Sequence, residues 1–434
     1  MLNGRRVATM TLGCKVNQYE TDSMLDLLQK EGCVNVPFTE EADIYIVNTC
    51  SVTNMAERKS RQMLHRAKKR SPESVVVACG CYVQSDTEKL KEDIACDLLI
   101  GNDRKHEVAW ILSEYLAKRE KGGGKEHETY LTDVSLATDY EAMHLDKPKE
   151  HTRAYLKVQD GCNSFCTYCI IPYARGRERS RKLSDVKYEA AKLAMSGIRE
   201  IILTGINVSA YRDGENTLID LIETVCGING IERVRMSSVN PRVVTPEFVK
   251  RVSACPNFSP HFHLSLQSAC DDTLRRMNRR YTVEEYKKAV RLLRETYDRP
   301  AITTDVIVGF PGETEEEFET TVKNLEELSL YEMHVFKYSP RRGTVAEKLP
   351  DQIPDAVKDE RSDRLLAMTA KQKTAFEAGF SGETADVLVE EVVKEADGWV
   401  MRGHTDRYIL CDIPCESREA GEAQVNRMVP HKLD

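Results

Sequence analysis

No window of this 434-residue chain approaches the roughly 18 unbroken apolar residues that a membrane helix needs. The first ten residues, MLNGRRVATM, lack the apolar core of a secretory signal. These two absences lead us to expect a cytoplasmic protein with no membrane partner. A basic excess is missing too, since the formal net charge is −8. As a sum this argues against a nucleic-acid partner, because phosphate binding needs basic surface. Distribution matters more than the sum, and four stretches are basic: Arg58 to Arg70 (RKSRQMLHRAKKR), Arg175 to Lys182 (RGRERSRK), Arg275 to Arg280 (RRMNRR) and Arg341–Arg342. Each is either a solvated face or part of an RNA-facing surface. A long-period repeat is also lacking, which excludes a solenoid.

What the chain does have is length for two to four domains and 14 cysteines. Disulfides are rare in the cytosol, so this cysteine content points to metal or redox chemistry.

The first third alternates strand and helix. Strands are expected at Val7–Leu12, Asp43–Asn48, Val75–Ala78 and Leu98–Ile100, with helices at 20–30 and 56–69. This is the rhythm of an open parallel sheet. The run KREKGGGK at 118–125, and the polar stretch after it to about Lys149, reads as a linker or hairpin tip. Six strand-then-helix units follow. Their strands are expected at 154–158, 200–204, 233–238, 261–266, 302–308 and 333–338, and two helices open on capping boxes, Thr282 with Glu285 and Thr314 with Glu317. Six such units suggest a parallel barrel or partial barrel. A polar helix at about 355–376 closes this section. Short strands at 385–393, 399–401 and 407–410 then suit a small β-barrel, and the tail beyond Leu410 has only weak alternation. The fold class expected is α/β: an open parallel N-terminal domain (1–142), a (β/α)6 partial barrel (143–375) and a small antiparallel β-barrel (376–434).

Cys162, Cys166 and Cys169 (GCNSFCTYC) have C-x3-C-x2-C spacing at the C-terminal end of the first barrel strand, the end at which barrel chemistry gathers. Structural zinc wants four protein ligands, and no fourth Cys or His follows before Cys226. Three thiolates on a four-iron cluster leave one iron open for a ligand; zinc and plain packing are the alternatives. A second set, Cys14, Cys50 and Cys81, follows three successive strands. Ligand sites form at such strand ends in parallel sheets, although small buried cysteines also occur there. Cys79 competes with Cys81, because strand alternation sends both to one side.

The two triads together resemble the methylthiotransferase family of radical S-adenosylmethionine (SAM) enzymes. The blocks that carry the resemblance are TLGCKVNQYE, VNTCSVT, GCYVQ, GCNSFCTYCIIPYARGRERSR, HLSLQS and TTDVIVGFPGET. It spans nearly the whole chain and implies an N-terminal cluster domain, a radical SAM barrel and a C-terminal TRAM-type RNA-binding barrel. It implies two 4Fe-4S clusters, one on Cys14, Cys50 and Cys81 and one on Cys162, Cys166 and Cys169, with SAM on the second. In the family the first cluster carries or supplies sulfur, which one SAM methylates. A second SAM yields the radical that takes hydrogen from carbon 2 of an adenine, where the methylthio group is delivered. The pattern G-C-Y-x-Q selects Cys81 over Cys79. TLGCKVNQYET and KVQDGCNSFCTYC look most like the branch acting on N6-threonylcarbamoyladenosine of tRNA, with Lys15-Val16-Asn17 where the other branches carry glutamine–methionine or proline. The rivals are the same chemistry on isopentenyladenosine tRNA or on a ribosomal-protein aspartate and, from another class, a non-catalytic zinc-dependent RNA-binding protein. Implied partners are a tRNA carrying the modified adenosine and a reducing electron donor.

Further candidates follow. Tyr168 fits the family's aromatic against the SAM adenine. Thr204, Gly205, Ser238, Asn240, Gln267, Asp305 and Gly309 lie on or after barrel strands, where polar groups and close backbone approach tend to serve a cofactor. A plain strand-to-helix turn is the alternative at Thr204–Gly205. Arg175, Arg177 and Arg181 suit phosphate contact and are expected to face RNA or a cluster. His261 and His263 alternate on one strand, as core residues or as ligands.

Overall fold

A computed structural model of the chain describes residues 1–122, 127–141, 143–146 and 152–434. The triglycine of the expected linker and the expected boundary at residue 142 touch residues outside these. The described residues form two compact units: Met1–Lys147, Lys157–Arg181 and Ser339–Glu347 in the first, Pro148–Leu156, Lys182–Tyr338 and Lys348–Asp434 in the second.

In the first unit, the two central strands are buried at every residue, β3 (Ile44–Thr49) and β4 (Val75–Gly80). A strand covered on both faces must be apolar throughout, which is the mark of a parallel sheet. Around them stand β1 (Arg6–Thr11), β2 (Val34–Asn35), β5 (Leu98–Ile100) and β6 (Glu128–Tyr130), in the order β2-β1-β3-β4-β5-β6, with every registered pair parallel. Helix Asn54–Arg70 sets Leu64 and Ala67 into the core beside Tyr45, Val47 and Val76. Its N-cap Thr53 accepts from the Ala56 amide. Strands β2 and β6 and helix Val108–Glu120 were not expected. The stretch after the linker is ordered where described: Val134, Met143 and Leu145 are buried, and the Met143 carbonyl accepts from the Tyr19 hydroxyl. Scattered apolar residues in a polar run concealed this.

All six barrel strands are present. Strand β7 (Arg153–Asp160) pairs at its end with the short β8 (Arg179–Ser180). In the second unit, β9 (Glu200–Gly205) is followed by a small hairpin of β10 (Arg212–Asp213) and β11 (Asn216–Thr217). Strand β12 (Arg233–Met236) pairs parallel with β9. Strands β13 (His261–His263), β14 (Ala301–Val308) and β15 (Glu332–Lys337) form a second parallel group, and a parallel bridge from Val239 to Leu264 joins the two. Both expected capping boxes form, each threonine accepting from the third residue's amide while the glutamate accepts from the cap amide.

The C-terminal strands β16 (Thr384–Glu395), β17 (Gly398–His404), β18 (Leu410–Cys415) and β19 (Met428–Lys432) make an antiparallel sheet in the order β18-β17-β16-β19. The strand expected at 407–410 begins at Leu410 instead, because Tyr408 takes a left-handed turn with φ of 66°. The weakly patterned tail holds a strand, a short helix (Arg418–Glu422) and the final strand. Val387, Ile409, Cys411 and Leu433 pack with Ala301, Tyr331 and Phe380. Beside that seam lies the buried carboxylate Glu200. It pairs with Arg153, Arg233 and Arg235, and Arg233 and Arg235 also donate to carbonyls of Asp386, His404, Thr405 and Asp406. A buried carboxylate is tolerable only with such partners.

Candidate functional site

Cys14, Cys50 and Cys81 stand just past the C-terminal ends of β1, β3 and β4, which are adjacent in the sheet. Polar side chains clip these ends together. The Asn17 amide donates to the carbonyls of Leu12 (2.8 Å) and Thr49 (3.0 Å). Asn48 donates to the Asn17 carbonyl at 2.9 Å, and the Thr49 hydroxyl donates to the Cys79 carbonyl at 2.5 Å. Gly13 has φ of 99°, and a Cβ there would come within 2.8 Å of the Cys50 sulfur. Only glycine lets the backbone pass this close.

The Cys79–Cys81 ambiguity is resolved in space. Cys79 remains in the strand, buried, with its thiol 3.7 Å from the Val47 carbonyl. Gly80 then takes φ of 97°, and Cys81 opens a short helix. The alternation that would have put both on one side ends at Gly80. Burial, and next the neighbouring Cys81, push the Cys50 thiol up to about 12. Burial also raises the Cys14 thiol, with Arg175 opposing it, although part of the residue is exposed.

A buried charge network borders this triad. Arg175 is completely buried. Its Nε donates to the Cys81 sulfur at 3.2 Å, one terminal nitrogen donates to Glu20 at 2.8 Å and to Asp160 at 3.2 Å, and the other to the Asn17 side-chain oxygen at 2.7 Å. Lys105 and Lys157 also pair with Glu20, and Lys157 reaches Asp160 at 2.7 Å. Burial alone would lift the Glu20 carboxyl, but Arg175, Lys105 and Lys157 hold it well below the usual carboxylate range. Burial works against Arg175 as well, and Cys81, Glu20 and Asp160 keep its guanidinium well above its ordinary value.

The loop of Cys162, Cys166 and Cys169 is half-buried and pinned from several sides. Gly161 has φ of 70°, and a Cβ there would fall 1.9 Å from the Arg177 carbonyl. The Cys162 amide donates to Gly176 (3.1 Å), the Ser164 amide to the Cys162 sulfur (3.5 Å) and the Ala346 amide to Thr167 (2.9 Å). Burial raises the Cys162 thiol, and Ser164 lowers it.

Both triads fit a polynuclear centre better than a single ion. A tetrahedral zinc with bonds of about 2.3 Å would hold its sulfurs roughly 3.8 Å apart. In neither triad do all three sulfurs lie within 4.8 Å of one another. Cysteine thiolates are the usual ligands of iron–sulfur clusters.

The expected arginines separate. Arg177 is exposed, with its guanidinium over the Phe165 ring at 4.8 Å. Arg175 and Arg181 are buried with protein partners. Arg181 meets the His144 ring nitrogen at 2.8 Å and the Tyr19 hydroxyl at 3.4 Å. Arg175 faces the N-terminal cysteines, and Arg181 meets His144 and Tyr19. Arg341, from another basic stretch, is buried against Asn54 and Glu57. Tyr168 is half-buried in the cysteine loop.

In the second unit, Thr204 is buried and Gly205 half-buried at the end of β9, and Ser238 is exposed after β12. The Asn240 side chain caps the turn Pro241–Val243. Gln267 holds φ of 73°, an uncommon conformation for a residue with a side chain, and its backbone bridges Asp305 and Ile307 at 2.8 Å each. Asp305 lies 3.3 Å from Nε2 of His263, whose Nδ1 lies 2.9 Å from the Thr303 hydroxyl; His334 stacks on the same ring. Burial would raise the Asp305 carboxyl, and His263 holds it down. Gly309 is buried, and a Cβ there would meet the Lys358 stem at 2.3 Å. His261 stacks on Tyr408 at 5.2 Å, so the two histidines of β13 have different neighbours.

Sequence reading missed Glu20, Lys105, Lys157 and Asp160, and gave Asn17 only as a mark of the branch. A signal was present, because polar residues at buried positions of a helix and a barrel strand interrupt the apolar pattern.

Residues 156–325 match the radical SAM superfamily, and residues 6–101 match an uncharacterized protein family, UPF0004. The threonylcarbamoyladenosine tRNA methylthiotransferase MtaB of Bacillus subtilis is 36% identical over 93% of this chain and 89% of its own. The protein of the same name from Aquifex aeolicus is 38% identical over 89% and 93%. The tRNA-2-methylthio-N(6)-dimethylallyladenosine synthase of Thermodesulfovibrio yellowstonii is 35% identical over 100% and 99%. Among solved structures, the radical SAM methyltransferase TsrM of Kitasatospora setae aligns with a TM-score of 0.57 at 16% identity, over 77% of this chain and 73% of that one, a likeness of fold.

Proposed function

Because the chain belongs to the radical SAM methylthiotransferase family, we propose that it places a methylthio group on carbon 2 of N6-threonylcarbamoyladenosine beside the anticodon of tRNA. The observation that carries this reading is the pair of cysteine triads, each backed by glycine turns, in a chain that aligns nearly end to end with enzymes named for this reaction. Lys15-Val16-Asn17 supports the threonylcarbamoyl branch over the isopentenyl one. The family uses SAM and 4Fe-4S clusters. SAM with a reduced cluster supplies hydrogen-atom abstraction, which an unactivated aromatic C–H requires because no side-chain base removes that proton.

The protein's own residues hold and shield this chemistry. Cys162, Cys166 and Cys169 would hold the SAM-binding cluster, with Tyr168 beside the adenine. Cys14, Cys50 and Cys81 would hold the second cluster. Thr204, Gly205, Ser238, Asn240, Gln267 and Asp305 line the C-terminal strand ends, where SAM and the adenine would be oriented. Arg177 offers an exposed cation to tRNA phosphate, and the C-terminal sheet is the tRNA docking domain of a three-domain chain. The partners are the modified tRNA and a low-potential electron donor, in the cytoplasm. No helix among the described residues is long and apolar enough to cross a membrane.

The test is mass spectrometry of tRNA nucleosides from cells with and without the gene. Loss of methylthio-threonylcarbamoyladenosine, with its precursor accumulating, is the expected result. Loss of the isopentenyl product instead assigns the other tRNA branch, and an unchanged profile overturns the substrate.

A further inference from the structure

One side chain touches the surroundings of both triads. Arg175 lies six positions after Cys169, on the segment that closes over the second cysteine loop: the Gly176 carbonyl next to it accepts from the Cys162 amide. Its guanidinium turns the other way, to the Cys81 sulfur of the first triad. The Cys81 sulfur also lies 3.7 Å from the side-chain amide of Asn102. Two N–H groups thus aim at one sulfur, and Arg175, completely buried, brings a formal positive charge with its bond.

The neighbours form one network. Arg175, Lys105, Lys157 and Arg179 are the cations paired with the carboxylates Glu20 and Asp160, all buried, and the bond of Arg175 reaches the Cys81 sulfur itself. A buried cation beside the sulfur and N–H···S bonds both stabilise the more negative state of an iron–sulfur centre, and such terms set its reduction potential.

We propose that Arg175 is a positioning residue of the N-terminal cluster: it holds the Cys81 sulfur in place, raises the cluster's reduction potential, and ties that cluster's ligand loop to the segment carrying the SAM-binding cysteines. This rests on the reading of Cys14, Cys50 and Cys81 as cluster ligands. The residue does not react. It acts through the sulfur that it touches and through Asn17, whose side-chain oxygen it holds and whose amide clips two strand ends.

The experiment uses the full chain with Cys162, Cys166 and Cys169 changed to Ala, reconstituted without oxygen, so that only the N-terminal cluster is read. Arg175→Gln and Arg175→Lys are compared with this parent by iron content and by redox titration followed by electron paramagnetic resonance. Arg175→Gln is expected to lower the ratio of reduced to oxidised cluster at a fixed applied potential at least tenfold, a downward shift of about 59 mV for one electron. Arg175→Lys, which keeps the charge, recovers most of that shift. Asp160→Asn, which removes an opposing negative charge, shifts the potential upward. A bound cluster with the parent's potential in Arg175→Gln overturns the proposal. If Arg175→Gln binds no iron, Asp160→Asn decides: an upward shift supports the proposal, and no shift or a downward one overturns it. A parent without iron refutes the ligand assignment itself, a distinct failure that takes this proposal with it.

Discussion

At the scale of single residues, the site depends on atoms that are missing as much as on those present. Gly13→Ala would set a methyl group 2.8 Å from the Cys50 sulfur at a φ that side chains avoid. We expect it to lose about 1–3 kcal/mol of stability and to bring iron content down toward one cluster, read by iron assay and thermal melting. Cys162→Ala is expected to abolish 5′-deoxyadenosine formation while the N-terminal cluster persists; undiminished SAM cleavage would refute the role of that triad. The positions of Cys14, Cys50 and Cys81 at strand ends were legible in the chain, because apolar runs of four to six residues announce buried strands. Arg175 was harder. A charged residue in a basic run reads as solvated surface, and only the convergence of Glu20, Asp160 and Asn17 from distant positions makes its burial tolerable.

At the scale of elements, local signals did best where they were chemically complete. The capping box at Thr314 and Glu317 forms as its spacing implies, and Thr314→Ala should cost about 1 kcal/mol, measured by denaturant titration. The strand expected at 407–410 failed because Tyr408 enters a left-handed turn that nothing in its own side chain demands. The join between β9, β12 and the C-terminal sheet rests on Glu200. Burial raises its carboxyl, and Arg235, Arg153 and Arg233 bring it below its ordinary value. A lowered folded value means that this stabilisation is complete above the unfolded value of about 4.3 and fades as the pH falls through the folded one. Thermal melts between pH 7 and 3 should therefore lose ground below about pH 4. Glu200→Gln should lower stability at pH 7 by about 3–5 kcal/mol, with a flatter acid limb. An acid limb as steep as that of the parent would remove Glu200 from this account.

At the scale of the molecule, the chain returns to its first unit twice, with residues 157–181 and again with 339–347. The apparent N-terminal domain is therefore incomplete on its own. A fragment of residues 1–142 lacks Lys157, Asp160 and Arg175, so the buried Glu20 loses two of the three cations that pair with it and keeps Lys105. We expect it to misfold or to bind no iron, checked by circular dichroism and iron assay; a stable, brown fragment would contradict this. The discontinuity was invisible in the sequence because a strand-and-helix rhythm reports neighbours along the chain, whereas this closure is made by residues well over a hundred positions away.

The ion pair of Arg341 with Glu57 spans 284 positions. At roughly 5–20 residues per second, the ribosome releases the second partner about 15–60 seconds after the first. The unit that is translated first is thus the one completed late. On the proposed reading of Cys14, Cys50 and Cys81 as cluster ligands, iron delivery is expected to follow the emergence of Arg341, with these thiols open to oxygen and stray metal until then.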